Sequence, residues 1–435
     1  MKITLLEHQK AEVTLPLTTD VTALQAYLDE VWQSRLWQEP SQEASMRQPF
    51  LSFEYVGPNV GPRIKAGRYV GFIQFQGLTI EIIPKLFNVE QAGRAFQHVL
   101  WWLSYAQSFT FPFAELSSDS DSIEDLPEAF FQYFAYTTEN LIQQQPYHQY
   151  ESVTESMPYL RGRLDTAGYI RSSLSQGHWH ELVCEHEPFV FNNRLNQIIK
   201  FVTRKLLGLS RRLPTRQILE RLLFHLDEVA DVPISRADCD RIILHRFYEG
   251  YEHCLDLCRF FLSDRYSNQT ASEEQQFCFL VPMDRVFEEF VTGVMKEKLG
   301  SMFRSIDLQK AGKLTQEGVF TIKNDALLTT HTGDVIVVDT KYKVRSVGVD
   351  AKAGISQTDL YQMISYALRR GSRRVFLLYP SLPKMTSSSH TFTVAASTFT
   401  QEPMVITAKD VEVTGLRKQE ILDGLEQELF ELLVT

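Results

Sequence analysis

The sequence predicts a multi-domain α+β and α/β protein: a β-rich N-terminal domain, a helical middle region and a C-terminal α/β/α core. Three observations predict it. Tyr69–Phe75 and Leu78–Ile83 are β-branched or aromatic runs separated only by Gln76-Gly77, a hairpin signal. Leu195, Ile198, Ile199, Val202 and Leu206 recur at helical spacing. Asp334-Val335-Ile336-Val337-Val338 is the kind of continuous run that a sheet buries on both faces.

A chain of 435 residues is long enough for two to three domains. The expected division is 1–125, 126–265 and 266–435. In the first stretch, Pro84 ends the second hairpin strand by withholding a ladder donor. Gly57-Pro58-Asn59-Val60-Gly61-Pro62 is dense in turn residues and is followed by Arg63, Lys65 and Arg68. The expectation is a loop or finger projecting from the β-scaffold without a regular ladder. A helix follows around Ala95–Ala106, then a solvated Ser/Asp-rich loop at Ser117–Ser122, then a helix from Pro127 that ends before Pro146.

The middle stretch reads as a bundle. Arg194, Lys200, Arg204 and Lys205 lie largely off its apolar stripe, as a solvated face would. Leu219, Leu222, Leu223 and Leu226 repeat the pattern, as do residues 242–261. The polar segment 263–276 has almost no apolar anchor and marks a boundary.

The last stretch is expected to run helix, strand, strand, strand, helix, strand. Pro282 opens a helix with Val286, Phe287, Phe290, Val291 and Val294 on one face and Glu288 and Glu289 off it. A short strand at Gly318–Ile322 precedes Asp325. The buried run 334–338 leads directly into Asp339-Thr340-Lys341. Residues i and i+2 of a strand share a face, so Asp339 and Lys341 point the same way, and Asp325 can meet them from the neighbouring strand. Two hard carboxylates suit Mg²⁺, with Mn²⁺ as a substitute. A lysine beside them can orient or deprotonate water, or offset charge on a phosphoryl group under attack. That is the equipment of metal-assisted phosphodiester cleavage; the alternative is a strand-end surface ion pair. Gln362 and Tyr366 stand four apart on one face of a helix within 359–367, and Arg374–Pro380 closes the core.

Composition limits the other readings. The formal net charge of −10 does not advertise a stand-alone nucleic-acid binder, so a local groove or a partner must hold any DNA. The five cysteines are an odd number without a Cys-x-x-Cys pair; Cys254 and Cys258 read as core thiols rather than zinc ligands. No Gly-x-x-x-x-Gly-Lys-Ser/Thr run occurs, so no nucleotide is expected on this chain. Met1–His8 lacks the apolar stretch of a signal peptide, and no run approaches ~18 apolar residues, so the expected compartment is the cytoplasm, with no membrane partner.

Several short motifs in order resemble the McrC family of PD-(D/E)xK nucleases: Ile80-Glu81-Ile82-Ile83-Pro84-Lys85, Leu160-Arg161-Gly162-Arg163-Leu164-Asp165, Phe191-Asn192-Asn193-Arg194-Leu195-Asn196, Phe279-Leu280-Val281-Pro282-Met283 with Phe287-Glu288-Glu289-Phe290, Asp339-Thr340-Lys341-Tyr342, and Asp359-Leu360-Tyr361-Gln362-Met363. The resemblance implies catalytic roles for Asp325, Asp339 and Lys341, with metal on the two aspartates. Glu288 is the candidate for a supporting role at or behind the metal, which Glu289 could equally fill because the two lie at similar angles from the apolar stripe. Gln362 and Tyr366 match the Gln-x-x-x-Tyr helix of RecB-like nucleases. It implies an McrB-like AAA+ GTPase hexamer as partner, modified double-stranded DNA as substrate, and cleavage by this chain, which also stimulates the motor. Arg63, Lys65 and Arg68 are the candidate partner contacts. The family's proline before the first carboxylate is replaced by Asn324. A self-sufficient RecB-like exonuclease and a non-catalytic activator of an AAA+ ring are the competing readings; the intact triad argues against the latter.

Overall fold

The computed structural model describes residues 1–8, 13–33, 49–55, 57, 61–106, 125–262, 276–345, 352–382, 388–395 and 402–434. The expected loop at Ser117–Ser122, nearly all of the polar segment 263–276 and part of the turn-rich segment at 57–62 lie outside the described residues. The chain forms two compact units. One joins Met1–Trp32, Ser41–Glu124 and Cys278–Thr435; the other comprises Gln33–Pro40 and Asp125–Phe277. The outer stretches of the sequence therefore share a unit, and the helical middle makes the other.

In the first unit, β1 (Lys2–Leu6) is followed by β2 (Val13–Thr14), α1 (Val21–Gln33), β3 (Leu51–Glu54), β4 (Arg63–Ala66), β5 (Tyr69–Phe75), β6 (Leu78–Ile83) and α2 (Ala92–Leu103). The expected hairpin is β5–β6, paired antiparallel with Phe75 opposite Leu78, and β1 adds parallel to its far edge. Both hairpin strands are buried along their whole length, which accounts for their apolar composition. Trp32, Phe50 and Tyr69 meet edge to face at centroid separations of 4.9–6.1 Å, within a core that also takes in Leu24, Leu28, Ile64 and Ile80.

The finger expected at Gly57–Arg68 is corrected in part. Arg63 and Lys65 lie in β4, the central strand of a three-stranded sheet, where β3 pairs on one side and β2 on the other. Ile64 and Ala66 are buried while Arg63 and Lys65 are half-buried. That alternation anchors the strand despite the turn residues before it. Arg68 follows the strand and pairs with Asp284 at 3.4 Å, so it is not a projecting cation.

The second unit is a helical bundle with a small sheet. Its helices include α3 (Leu126–Gln144), α4 (Arg194–Leu209), α5 (Leu213–His225) and α6 (Gly250–Leu262), and its main sheet comprises β7 (Val153–Met157), β8 (Arg163–Leu164) and β9 (Leu182–His186). Leu195, Ile198, Ile199, Val202 and Leu206 are fully buried as their spacing requires. Lys200 departs from the solvated-face reading: it is buried and donates to the Val229 carbonyl at 2.6 Å. The last helix starts at Gly250, later than the periodicity proposed; Ile243 is 91% exposed. All five cysteines are free and buried, and Cys254 lies 3.5 Å from the Thr138 hydroxyl, as a core thiol would.

The C-terminal part of the first unit begins with β10 (Gln276–Pro282), which joins the β1-β6-β5 sheet at the β5 edge. Gly71 permits this approach. Its φ is +139°, and a Cβ there would stand 1.9 Å from the Phe279 carbonyl oxygen. Then follow α7 (Met283–Leu299), β11 (Ser305–Lys313), β12 (Thr321–Thr329), β13 (Val335–Thr340), α8 (Gln357–Arg370), β14 (Arg374–Pro380), β15 (Ser389–Val394), β16 (Met404–Val411) and α9 (Lys418–Leu433). The second sheet runs β11-β12-β13-β14-β16-β15, with β13-β14-β16 parallel. Met363 and Ala367 of α8 pack on one face with Leu327, Val337, Val375 and Leu377. The apolar face of α7 is buried as expected. Arg374–Pro380 does not close the sheet, because two further strands and a helix follow it. Among the described residues no helix is long and apolar enough to cross a membrane.

Candidate active site

The carboxylates meet at the centre of the second sheet. Asp339 occupies the penultimate position of β13 and is 2% exposed. Asp325 lies inside β12, not after a short strand ending at Ile322 as the sequence suggested. The strand runs through the polar Asn324-Asp325 pair because β11 supplies partners on either side, Lys310 for Asn324 and Leu308 for Ala326. The ladder skips the position between them, and Gln309 there has φ +52°, an unusual backbone for a non-glycine residue in a strand. On the other edge, Asp325 and Asp339 stand one residue beyond the Ala326–Val338 pair. The Asp325 Oδ2 accepts from the Thr340 amide at 2.7 Å and the Thr340 hydroxyl at 2.9 Å, which fixes the carboxylate against its neighbouring strand.

Lys341 shares the face of Asp339. Its Nζ is 2.8 Å from Asp339 Oδ2 and donates to Gln362 Oε1 at 3.1 Å; Gln362 Nε2 in turn donates to the Tyr366 hydroxyl at 2.8 Å. The helix carrying these two residues starts at an N-cap, Ser356, and ends at Gly371 in the left-handed region. The structure thus brings together Asp325, Asp339, Lys341, Gln362 and Tyr366. It also separates the two glutamates of α7. Glu288 faces Asp325, whereas Glu289 accepts from Arg285 one turn earlier at 2.9 Å.

The electrostatics are those of crowded acids. Burial, then the charge of Asp325, pushes Asp339 up to about 7, against the opposing pull of Lys341. Burial and the Asp325 carboxylate push Glu288 up to about 9. For Lys341, burial lowers the affinity for its proton, but the Asp339 carboxylate beside it, together with Asp325 and Asp359, outweighs that effect, and the net direction is upward. The Asp339 Oδ2 is shielded from solvent and faces the Lys341 ammonium at 2.8 Å.

A buried carboxylate crowded by a second, fixed carboxylate and a third acid fits a divalent cation with oxygen ligands. Among the described residues no three His, Cys, Asp or Glu side chains form a ready cage. Mg²⁺ needs none, because it is held by one or two carboxylates and keeps several waters.

Some supporting residues were not singled out from the sequence. Thr340 holds Asp325. Lys343 pairs with Asp359 at 3.0 Å beside the start of α8. Arg370, at the other end of that helix, donates to Asn324 Oδ1 at 2.8 Å and to the Lys310 carbonyl at 2.8 Å. It braces the strand at the position where the related motif has proline.

The profile described as the McrBC 5-methylcytosine restriction system component matches residues 64–380, nearly three-quarters of the chain. The chain belongs to this McrBC component family. The match runs from β4 to the end of β14 and includes every residue of the site described above. Among solved structures, a refined half-complex from the tetradecameric assembly of Thermococcus gammatolerans McrB AAA+ hexamers with bound McrC aligns over 100% of both chains at TM-score 0.73 and 18% identity. The cryo-EM structure of the Thermococcus gammatolerans McrBC complex aligns over 69% of this chain and 88% of that one, at TM-score 0.54 and 20% identity. At those identities the likeness is one of fold. No curated protein matches at comparable stringency.

Proposed function

We propose that this chain is the Mg²⁺-dependent DNA endonuclease subunit of a modified-cytosine-dependent restriction complex and that it stimulates an McrB-like AAA+ GTPase. The observation that carries the reading is the convergence of Asp325, Asp339 and Lys341 on one face of two adjacent strands, inside the span that matches the McrBC component family. The partner is supported by the solved relatives, in which McrC is bound to McrB AAA+ hexamers. A partner that concentrates DNA also accommodates the net charge of −10.

In this reading Asp325 and Asp339 hold the cation, with Glu288 placed to accept from or orient a water at its edge. When bound, the cation polarises the scissile phosphate and lowers the pKa of water. Thr340 prevents Asp325 from turning away. Lys341 carries its proton while Asp339 is charged, which favours an electrostatic and orienting role over that of a general base. Gln362, anchored by Tyr366, keeps the Lys341 ammonium aimed at the same point.

The test is metal dependence of plasmid cleavage in the presence of the partner and GTP. EDTA stops the cut, Mg²⁺ or Mn²⁺ restores it, and Ca²⁺ occupies the site without turnover because its coordination is looser. Cleavage that persists in EDTA, or that answers to Zn²⁺ and not Mg²⁺, refutes the carboxylate assignment.

A further inference from the structure

Beyond Thr340 the β13 strand has no regular continuation, although Lys341 must be held there to better than an ångström if it is to act on water or phosphate. On one side the Lys341 amide donates to the Leu378 carbonyl at 2.8 Å. On the other side the next residue, Tyr342, is held by groups that come from the opposite end of the sequence. Its hydroxyl donates to Glu7 Oε1 at 2.6 Å. Its carbonyl accepts from Lys85 Nζ at 2.9 Å, and that ammonium also stands 4.0 Å from the centre of the Tyr342 ring. The Lys85 amide donates to the same Glu7 oxygen at 3.0 Å, which closes the loop. The Tyr342 ring also packs against Phe287, 5.7 Å away between centroids and next in sequence to Glu288.

Glu7 is 2% exposed, and its Oε2 has no hydrogen-bond partner among the described residues. Burying a carboxylate with one oxygen unsatisfied is costly, and apolar packing at the end of β1 would be cheaper. The cost is accounted for if the acid serves to fix something else. We propose that Glu7 and Lys85 form a clamp on Tyr342, making all three positioning residues for Lys341 and, through Phe287, for Glu288. The β1-β6-β5-β10 sheet, whose strand ends precede Glu7 and Lys85, is then a structural part of the cutting site. Lys85 closes the Ile80–Lys85 motif, whose residues up to Ile83 lie in a buried strand, and the clamp gives its ammonium a task that a solvated surface lysine does not have.

The inference rests on the nuclease reading, so the experiment measures both. Wild type, Lys85→Met, Glu7→Leu, Glu7→Gln and Tyr342→Phe are each assayed for methylated-plasmid cleavage at saturating partner and GTP, with GTP turnover followed in parallel. Lys85→Met and Glu7→Leu are expected to lower kcat about tenfold or more. KM for DNA and stimulation of GTP turnover stay at wild-type values. Glu7→Gln, which keeps an acceptor for the tyrosine hydroxyl, recovers most of the rate. Tyr342→Phe removes one hydrogen bond in an intact ring environment and lowers kcat at unchanged KM, so the clamp is testable even where Lys85→Met fails to fold. Wild-type kcat in Tyr342→Phe, or in a folded Lys85→Met, overturns the clamp while leaving the nuclease reading intact, as does a loss confined to KM. A wild-type chain that makes no cut overturns the nuclease reading, and the clamp with it.

Discussion

Asp339 and Glu288 hold their protons to about 7 and about 9 in the folded chain, against an ordinary carboxylate value near 4 in the unfolded one. Between those limits the folded state binds more protons than the unfolded state, so metal-free protein loses stability as pH rises. The loss from Asp339 accumulates from about 4 to about 7 and that from Glu288 continues to about 9. Cation binding replaces the protons and reverses the trend, because it favours the charged carboxylates of the folded state alone. Thermal melts in EDTA are therefore expected to show a falling Tm between pH 5 and pH 8, with Mg²⁺ raising Tm more at pH 8 than at pH 5. Asp339→Asn should flatten the slope. A Tm independent of pH in EDTA would mean that these acids are not crowded as described. Asp339 and Lys341 were legible from the alternation of a strand, which needs no tertiary information. Glu288 and Glu289 were not separable by helical angle; the distinguishing signal was Arg285, four residues before Glu289 and able to take it up in an i,i+4 pair.

At the scale of elements, what escaped sequence reasoning had local causes. The β4 strand alternates Arg63, Ile64, Lys65, Ala66, a strand pattern overshadowed by the glycines and prolines before it. The β12 strand hid behind Asn324-Asp325, because a polar pair resembles a strand end when the bracing by Arg370 is unseen. β15, β16 and α9 lie beyond the last motif, and their alternation alone did not require them to join the same sheet. We propose that the β2-β4-β3 sheet contacts the GTPase through its central strand, β4, where Arg63 and Lys65 share the face opposite the buried Ile64 and Ala66. Deleting residues 57–68 would remove the central strand of that sheet and confuse folding with docking. Replacing Arg63 and Lys65 together by Gln is the cleaner change. It is expected to weaken stimulation of partner GTP turnover several-fold, with Tm measured on the same samples to separate docking from folding. Full stimulation by the double variant would remove this strand from the docking surface.

For the whole molecule, the pairing of β10 with β5 and the joining of 1–32 and 41–124 with 278–435 leave no local trace in sequence. Pairings between distant parts of the chain are tertiary facts, and short motifs read in order do not report them. They place the candidate site in a unit built from both ends of the chain, which is why residues as early as Glu7 stand beside the loop after Asp339. The central claim is that this unit cuts DNA at the Asp325–Asp339–Lys341 constellation while a separate GTPase supplies the motor. Its most direct test is cleavage of a cytosine-methylated plasmid by the wild-type chain, Asp339→Ala and Lys341→Ala. Each is co-purified with an McrB-like AAA+ GTPase and supplied with GTP and Mg²⁺. The account predicts that wild type cuts methylated and spares unmethylated plasmid. Both variants should form the complex and stimulate GTP turnover, yet cut at least about a hundredfold more slowly. Cleavage by either variant at near the wild-type rate would contradict it.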